Sequence, residues 1–559
     1  MMRFVPVIFR RYLRVAWCLA AVLLCFTGVK AQVAQGRSSA AHVAYRHGQE
    51  ALLKGDLALA RTNFEKAVRL SPGNAEARGS LGYALAGLGD LDGAETQLRA
   101  AIKLSPRSPE SHRQLGRVLS QKGAKDEAVS EVRRAVELAP LRADIRDDLG
   151  SVFAQQGHFS EATTEFTEAL RLQPNFAPAH FHLGVALLQE QRVDDAVKEL
   201  RRAIALSPND AASHYYLAEG LGDQSKSAEA LPELHQAAQL SPGWFEAQTT
   251  LGLACQRAGD TDCAVAAFDR AVKLRPADSN AYNNLGLALI QKGDAESSIP
   301  KFREAVRLRP EDGAIRGNLG IAFLQRADFD AAITELAAAI QLTPADASLH
   351  YNLGLAYKLK DQFDPAVMEL QKAVELQPDL ADAHYTLGVL YWQKGEFDKA
   401  TEQLKSAIRS QPTYAEAHYT LGTVYKQQGK LPEAAVSLRE AVRLQPGFAG
   451  THTTLAAVLR QQGDSDQAAA EAATAARITA TTNNLQAATF ATNSGKRLLN
   501  AGDLEGAITQ FRAAIKMDDN YSPAHAQLSQ ALQRKGETRE AEAELKRSQA
   551  LESPKPQSP

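Results

Sequence analysis

Aromatic rings make up only 6% of this 559-residue chain, and beyond the first residues no block of lysine and arginine appears. Its 63 basic and 65 acidic side chains nearly balance, so the electrostatic footprint that nucleic-acid binding requires is missing. Catalytic signatures are missing too: there is no His-Glu-x-x-His, no Gly-x-Ser-x-Gly and no paired-cysteine metal spacing. Asn493-Ser494-Gly495-Lys496-Arg497 contains a Gly-Lys pair, but no glycine stands five residues before Gly495 and no Ser or Thr follows Lys496, so it is not a phosphate loop. The apolar run Val15 to Val29 falls short of the ~20 residues that cross a bilayer. What is present, 45% apolar and 23% charged residues, is the composition of an alanine- and leucine-rich helical protein and excludes disorder throughout. The chain is too long for one compact core, which leaves several domains or a repeat growing in one dimension.

Arg3, Arg10, Arg11 and Arg14 precede the apolar run, and Val29-Lys30-Ala31 places small side chains three and one residues before a cut. This pattern predicts a signal peptide over residues 1–31, cleaved after Ala31, and a periplasmic or secreted protein; the alternative is a membrane anchor made by an uncleaved N-terminus. Trp17 and Leu24, which precede Cys18 and Cys25, are too bulky for lipid attachment. Cleavage removes five basic and no acidic side chains, leaving 58 basic against 65 acidic and a formal charge of −7. That balance suits a soluble protein without a stable membrane span.

One spacing organises the rest. Twelve prolines from Pro72 to Pro446 are each 34 residues from the next, and a Leu-Gly pair keeps the same period, as in Leu81-Gly82, Leu149-Gly150 and Leu387-Gly388. A small residue follows that glycine by twelve places (Ala94, Ala162, Ala400), with an alanine seven further on. Within a period, the apolar stripe Tyr385, Leu387, Leu390, Tyr391 runs to a turn at Gly395, and a second stripe Ala400, Leu404, Ala407, Ile408 runs to Pro412. The spacing therefore predicts a helix, a tight turn and an antiparallel helix. Gly388 and Ala400 lack bulk where the two cross, and Pro412, with no amide donor, ends the second helix.

These residues follow the W-x2-L-G-x2-Y pattern with A, F, A and P at later fixed places, and the sequence closely resembles the tetratricopeptide repeat family. The resemblance implies an all-α fold, an alpha-alpha superhelix of helix-turn-helix hairpins. Fifteen units are expected: thirteen in phase over 41–482, a phase-breaking linker at 483–487, and two more over 488–555. The proline-rich tail 553–559 is expected to be disordered. The repeats leave no uncommitted stretch of the ~100 residues that a catalytic domain needs, so the chain is read as non-catalytic and without cofactors.

Where the family usually has tryptophan, eight histidines share one phase: His112, His180, His214, His350, His384, His418, His452 and His525. Neighbouring helices lie ~8–10 Å apart, too far for two such rings to share an ion readily, so packing or hydrogen bonding is expected and metal binding is not. The family's partner groove is lined by first helices, and the resemblance places there Tyr215, Tyr351, Tyr385 and Tyr419, the run Asn284, Asn318 and Asn352, and, further along the same helices, Lys358, Trp392 and Lys426. The asparagine run resembles a short version of the ladder in the repeat arm of O-linked N-acetylglucosamine transferases. The family's clamp for C-terminal carboxylates is not expected, because its asparagine phase holds Leu287, Leu355, Val389 and Thr423.

Cys255 and Cys263 flank the turn Gln256 to Asp262, close enough for an oxidising compartment to join them as a disulfide. The reading that results is a scaffold binding proteins or peptides along the groove. Two alternatives stand beside it: the recognition subunit of an envelope glycosyltransferase or protease whose catalytic part is a separate chain, and a solenoid that associates with itself.

Overall fold

The computed structural model describes residues 38–552, and the regular structure among them is entirely helical. The signal peptide expected over 1–31 and the tail 553–559 lie outside the described residues. Two compact units divide the chain between Lys292 and Gly293. The first holds seven antiparallel helix pairs, from residues 38–53 with Leu57–Leu70 to Phe245–Ala258 with Thr261–Leu274, and then helix Ser279–Gln291. The second begins with Ala295–Leu308 and continues in seven pairs to Ser522–Lys535 with Thr538–Glu552. Each unit is an α-solenoid of the tetratricopeptide kind, as the period predicts.

The repeated residues make the hairpin. A Cβ on Gly150 would lie 2.6 Å from the Phe166 ring, and one on Gly388 would lie 2.8 Å from Leu404 Cγ, so the missing side chains are what let the paired helices close. Ala162 and Ala400 are fully buried at the same crossings. From Leu57–Leu70 to Leu431–Leu444 each second helix ends in the same way; the Ser105 amide donates to Ala101 O at 2.8 Å and Pro106 follows, unable to continue the helix. Several of the following first helices start on a side-chain cap such as Asn74 or Asp278, whose oxygen accepts from the third amide on.

Between first and second helix the chain passes through one left-handed residue, usually glycine, as at Gly157 (φ 81°) and Gly395 (φ 76°). Gln191, Ser225, Ala327 and Asp361 take the same conformation at φ 57–61° without being glycine. Along one face of each unit, first helices of successive hairpins touch, for example Pro109–Gln121 against Ala143–Gln155 and Ala381–Gln393 against Ala415–Gln427.

The linker expected at 483–487 is corrected. Those residues lie inside one helix, Ser465–Asn500, whose first part closes one hairpin and whose last part opens the next. The reason is in the register: the position 34 residues after Pro446 is Ala480, and no proline or glycine occurs between there and Gly495. The second compact unit includes both sides of the helix, so no boundary between stacks falls there. No helix of the described residues is long and apolar enough to cross a membrane.

Candidate partner-binding face

In the second unit, Tyr351, Tyr385 and Tyr419 stand at one register position on the first helices Ala347–Leu359, Ala381–Gln393 and Ala415–Gln427. Seven residues on, two turns along the same faces, stand Lys358, Trp392 and Lys426. All six are half-buried. Trp392 Nε1 donates to Gln427 Oε1 at 2.7 Å, joining two first helices across this face. Lys358 has no carboxylate within ion-pair distance among the described residues, and its partial burial pushes the ammonium below the ordinary lysine range. Burial, and then the charge of Asp382, push the Tyr351 phenol up.

Two further aromatic residues complete the face, and the sequence reading missed them. Tyr414 and Phe448 stand two residues after Pro412 and Pro446, at the start of the next first helix. Tyr414 stacks at a tilt on Tyr385 with ring centroids 5.0 Å apart and donates through its hydroxyl to Asp382 Oδ1 at 2.9 Å. Phe448 meets Tyr419 edge-on at 5.6 Å. The signal that could have found them is the proline register itself, since the position two after the proline is aromatic in four of the twelve repeats, at Phe176, Trp244, Tyr414 and Phe448.

The asparagines contribute less than expected. Asn318 and Asn352 are half-buried, and Asn352 Nδ2 donates to Ser348 O of its own helix at 2.8 Å, which leaves its carbonyl as the outward group.

In the first unit, Asn284 is half-buried on Ser279–Gln291. Tyr215, expected on the binding face, is corrected: it is only 9% exposed, with its ring 4.6 Å from Trp244 and edge-on to Tyr216. Trp244, from the following loop, covers it, and burial pushes the phenol up to about 12. Elsewhere this unit's first-helix face is tied up by its own charges. Arg113 binds Asp148 and, at 2.7 Å, Asp144 on the next first helix, while His182 Nδ1 lies 2.9 Å from Asp147.

Tetratricopeptide repeat models match residues 45–109, 81–143, 148–211 and 249–313, then 322–361, 359–395 and 391–429, then 415–448 and 449–474, which together exceed half of the chain. The chain belongs to the tetratricopeptide repeat family. No curated protein matches it. Among solved structures, MamA is 26% identical over 29% of this chain and 94% of its own, with a TM-score of 0.28. YrrB, described as a TPR protein with an unusual peptide-binding site, is 24% identical over 34% of this chain and 96% of its own, at 0.30. The Cut9–Hcn1 hetero-tetramer of the APC/C is 16% identical over 88% of this chain and 96% of its own, at 0.33.

The histidine phase of these tetratricopeptide units is a structural strut. His350 Nδ1 lies 2.7 Å from Glu369 Oε2 on the paired helix, and its Nε2 lies 3.1 Å from the carbonyl of Pro344, the proline that ends the previous hairpin. His112, His180, His214 and His452 repeat both contacts with Glu131, Glu199, Glu233 and Glu471 and with the matching prolines. His384 substitutes Gln403 for the carboxylate, and His418 keeps the proline carbonyl. His525 bonds Glu544 and Asp519 O. At the same register Arg78 donates to Pro72 O and Gln97, and Arg146 to Glu165. The position thus calls for a side chain whose polar atoms reach both a turn carbonyl and the facing helix, and in the histidines that make both contacts the ring nitrogens are already engaged.

Cys255, buried near the end of Phe245–Ala258, and Cys263, in the first turn of Thr261–Leu274, are joined by a disulfide across the helix turn, with Cα atoms 5.8 Å apart.

Proposed function

We propose that this tetratricopeptide repeat protein is a non-catalytic scaffold that holds extended, acidic segments of partner proteins along the first-helix face of its second unit. The observation that carries this reading is the periodic pairing of Tyr351, Tyr385 and Tyr419 with Lys358, Trp392 and Lys426 on successive first helices. An extended peptide rises about 3.3 Å per residue, so rings and ammonium groups spaced one hairpin apart, ~8–10 Å, would meet every third residue. Rings supply contact area at low entropic cost. Lys358, half-buried with no carboxylate of its own, gains most from a ligand carboxylate.

The outward carbonyl of Asn352 can accept from a peptide amide. The N-terminal pattern of Arg3 to Ala31 supports export, and the acid excess of the cleaved chain supports protein partners over nucleic acid. In that setting the scaffold would gather envelope proteins into assemblies.

The test is a displayed library of random peptides panned on the full chain. Enrichment of peptides with Asp or Glu beside apolar residues, with at least ~10-fold weaker binding to the Tyr351→Ala, Tyr385→Ala, Tyr419→Ala variant, is expected. Peptides that bind this triple variant as tightly as the parent would remove the reading.

A further inference from the structure

The disulfide lies beside a third ligating side chain from a different hairpin. His235, on helix Ser227–Leu240, is exposed and places Nε2 3.7 Å from Cys263 Sγ. The ligand atoms of His235, Cys255 and Cys263 all lie within 4.8 Å of one another. Sequence reading had no way to find this trio. The cysteines are not a Cys-x-x-Cys pair, and His235 lies 28 residues before Cys263 in the preceding repeat, outside the phase shared by the other eight histidines.

We propose that reduction of the Cys255–Cys263 bond turns this cluster into a binding site for a thiophilic divalent cation of the Zn2+ class. In a tetrahedral zinc site with bonds of ~2.3 Å to sulfur and ~2.0 Å to nitrogen, sulfur and nitrogen ligands stand ~3.6 Å apart and two sulfurs ~3.8 Å apart. The His235 to Cys263 separation already has that value. The two sulfurs must separate, for which a Cα–Cα distance of 5.8 Å leaves their side chains room, and Cys255 Sγ, within 4.8 Å of the His235 ligand nitrogen, must settle at the same S–N spacing.

Cys263 occupies the first turn of Thr261–Leu274, and its amide donates to the Asp260 cap at 3.0 Å. The nearby Asp262 is engaged with Lys292 at 2.7 Å, so the fourth position falls to water.

The chemistry balances. A dithiol or phosphine reductant supplies two electrons to the S–S bond and is itself oxidised. The two thiols formed release their protons to solvent as the cation binds, and His235 binds through neutral Nε2. The two states cross-link different things: the disulfide ties together the two helices of one hairpin, whereas the metal would also tie in the second helix of the hairpin before it. On reduction and metal binding the site would therefore keep a link within a repeat and add one between repeats.

The experiment uses the full chain, untreated and after phosphine reduction with the reductant removed anaerobically. Zn2+ affinity is read by competition with a chromogenic chelator, and Co2+ substitution is read by its thiolate charge-transfer band. The reduced parent is expected to bind one Zn2+ per chain at least ~10-fold more tightly than either the untreated parent or reduced His235→Ala, and to show the cobalt–thiolate band. Because His235 is exposed, His235→Ala leaves the fold intact, which far-UV circular dichroism verifies. Equal zinc affinity in the reduced parent and in reduced His235→Ala, or in the reduced parent and Cys255→Ser with Cys263→Ser, would overturn the proposal.

Discussion

Arg113 and Asp147 occupy the same register position as Tyr351, and Asp148 the same position as Asn352, yet the two faces do opposite things with it. Between Pro109 and Gln155 the first helices spend their polar groups on one another: Arg113 clasps Asp144 and Asp148, and Arg142 binds Asp144 and Glu110. Between Ala347 and Gln427 the equivalent positions carry rings, together with ammonium groups that have no carboxylate beside them among the described residues. A tetratricopeptide framework fixes where a first-helix side chain sits and leaves open whether its needs are met from within. Where they are met, the face is a brace between hairpins. Where they are not, it is a surface with something left to bind.

The largest effect that separates the two belongs to Arg113. Its side chain is 17% exposed and that of Asp148 14%, so removing the cation strands a carboxylate in poorly solvated surroundings. Arg113→Ala should cost about 2–4 kcal/mol. In a solenoid each repeat contacts only its neighbours, so the loss should be local. It should appear as faster amide exchange over residues 109–172, with little change beyond residue 347. Unchanged exchange in 109–172 would show that these charges do not brace the first unit.

A smaller effect should be the same on both sides of the comparison. His180 in the first unit and His350 in the second make matching bonds to a facing glutamate and a turn carbonyl. His180→Ala and His350→Ala should each cost about 1–2 kcal/mol, whereas His418→Ala, which forfeits only the Pro412 contact, should cost less. Urea unfolding monitored at the local exchange level would show this order. A cost for His418→Ala equal to that of His350→Ala would mean that the carboxylate contributes nothing to the strut.

What could be read from the sequence follows the same division. The hairpins and the glycine–alanine crossings are legible because each depends on a small residue at one phase: Gly150 fits because Phe166 fills the space its Cβ would take. The burial of Tyr215 was not legible, because the side chain that covers it, Trp244, comes from the loop of the next repeat, and phase alone does not say which way a ring in that loop folds. Ser465–Asn500 was misread for a different reason. A five-residue insertion looks like a linker when the period is counted, but Ala480 in place of proline removes the only stop signal, and an uninterrupted helix is what remains. The ion pairs of Arg113 and the His235 cluster both join residues in different repeats, and such pairings become visible only once the hairpins are stacked.

The turns provide a smaller test that touches both units alike. Ser225 in the first and Ala327 in the second hold φ of 59° and 61°, where other repeats use glycine. A left-handed conformation costs a residue bearing a Cβ roughly 1 kcal/mol. Ser225→Gly and Ala327→Gly should therefore each stabilise their hairpin by up to about 1 kcal/mol, net of the entropy glycine adds to the unfolded chain. Gly157→Ala and Gly395→Ala should do the reverse by a similar amount. Melting temperature, with local exchange as the finer probe, reads both signs. Destabilisation by Ala327→Gly would mean that the methyl group packs well enough to offset the strain.

The smallest expected change in stability is the most diagnostic. Lys358 is half-buried without a carboxylate beside it among the described residues, and burial lowers its pKa. A lysine used as a brace, like Arg113, would cost stability when replaced. A lysine kept for a ligand costs nothing in the free protein, because its desolvation is offset only when a partner arrives. Lys358→Met retains the apolar stem and removes the charge, so it should leave unfolding within about 0.5 kcal/mol of the parent. The same substitution should weaken binding of the selected acidic peptides about 10-fold, since one charge-assisted contact to a carboxylate is of that order. Stability falling by more than the binding energy lost would place Lys358 with Arg113, and the two faces would then differ in composition but not in purpose.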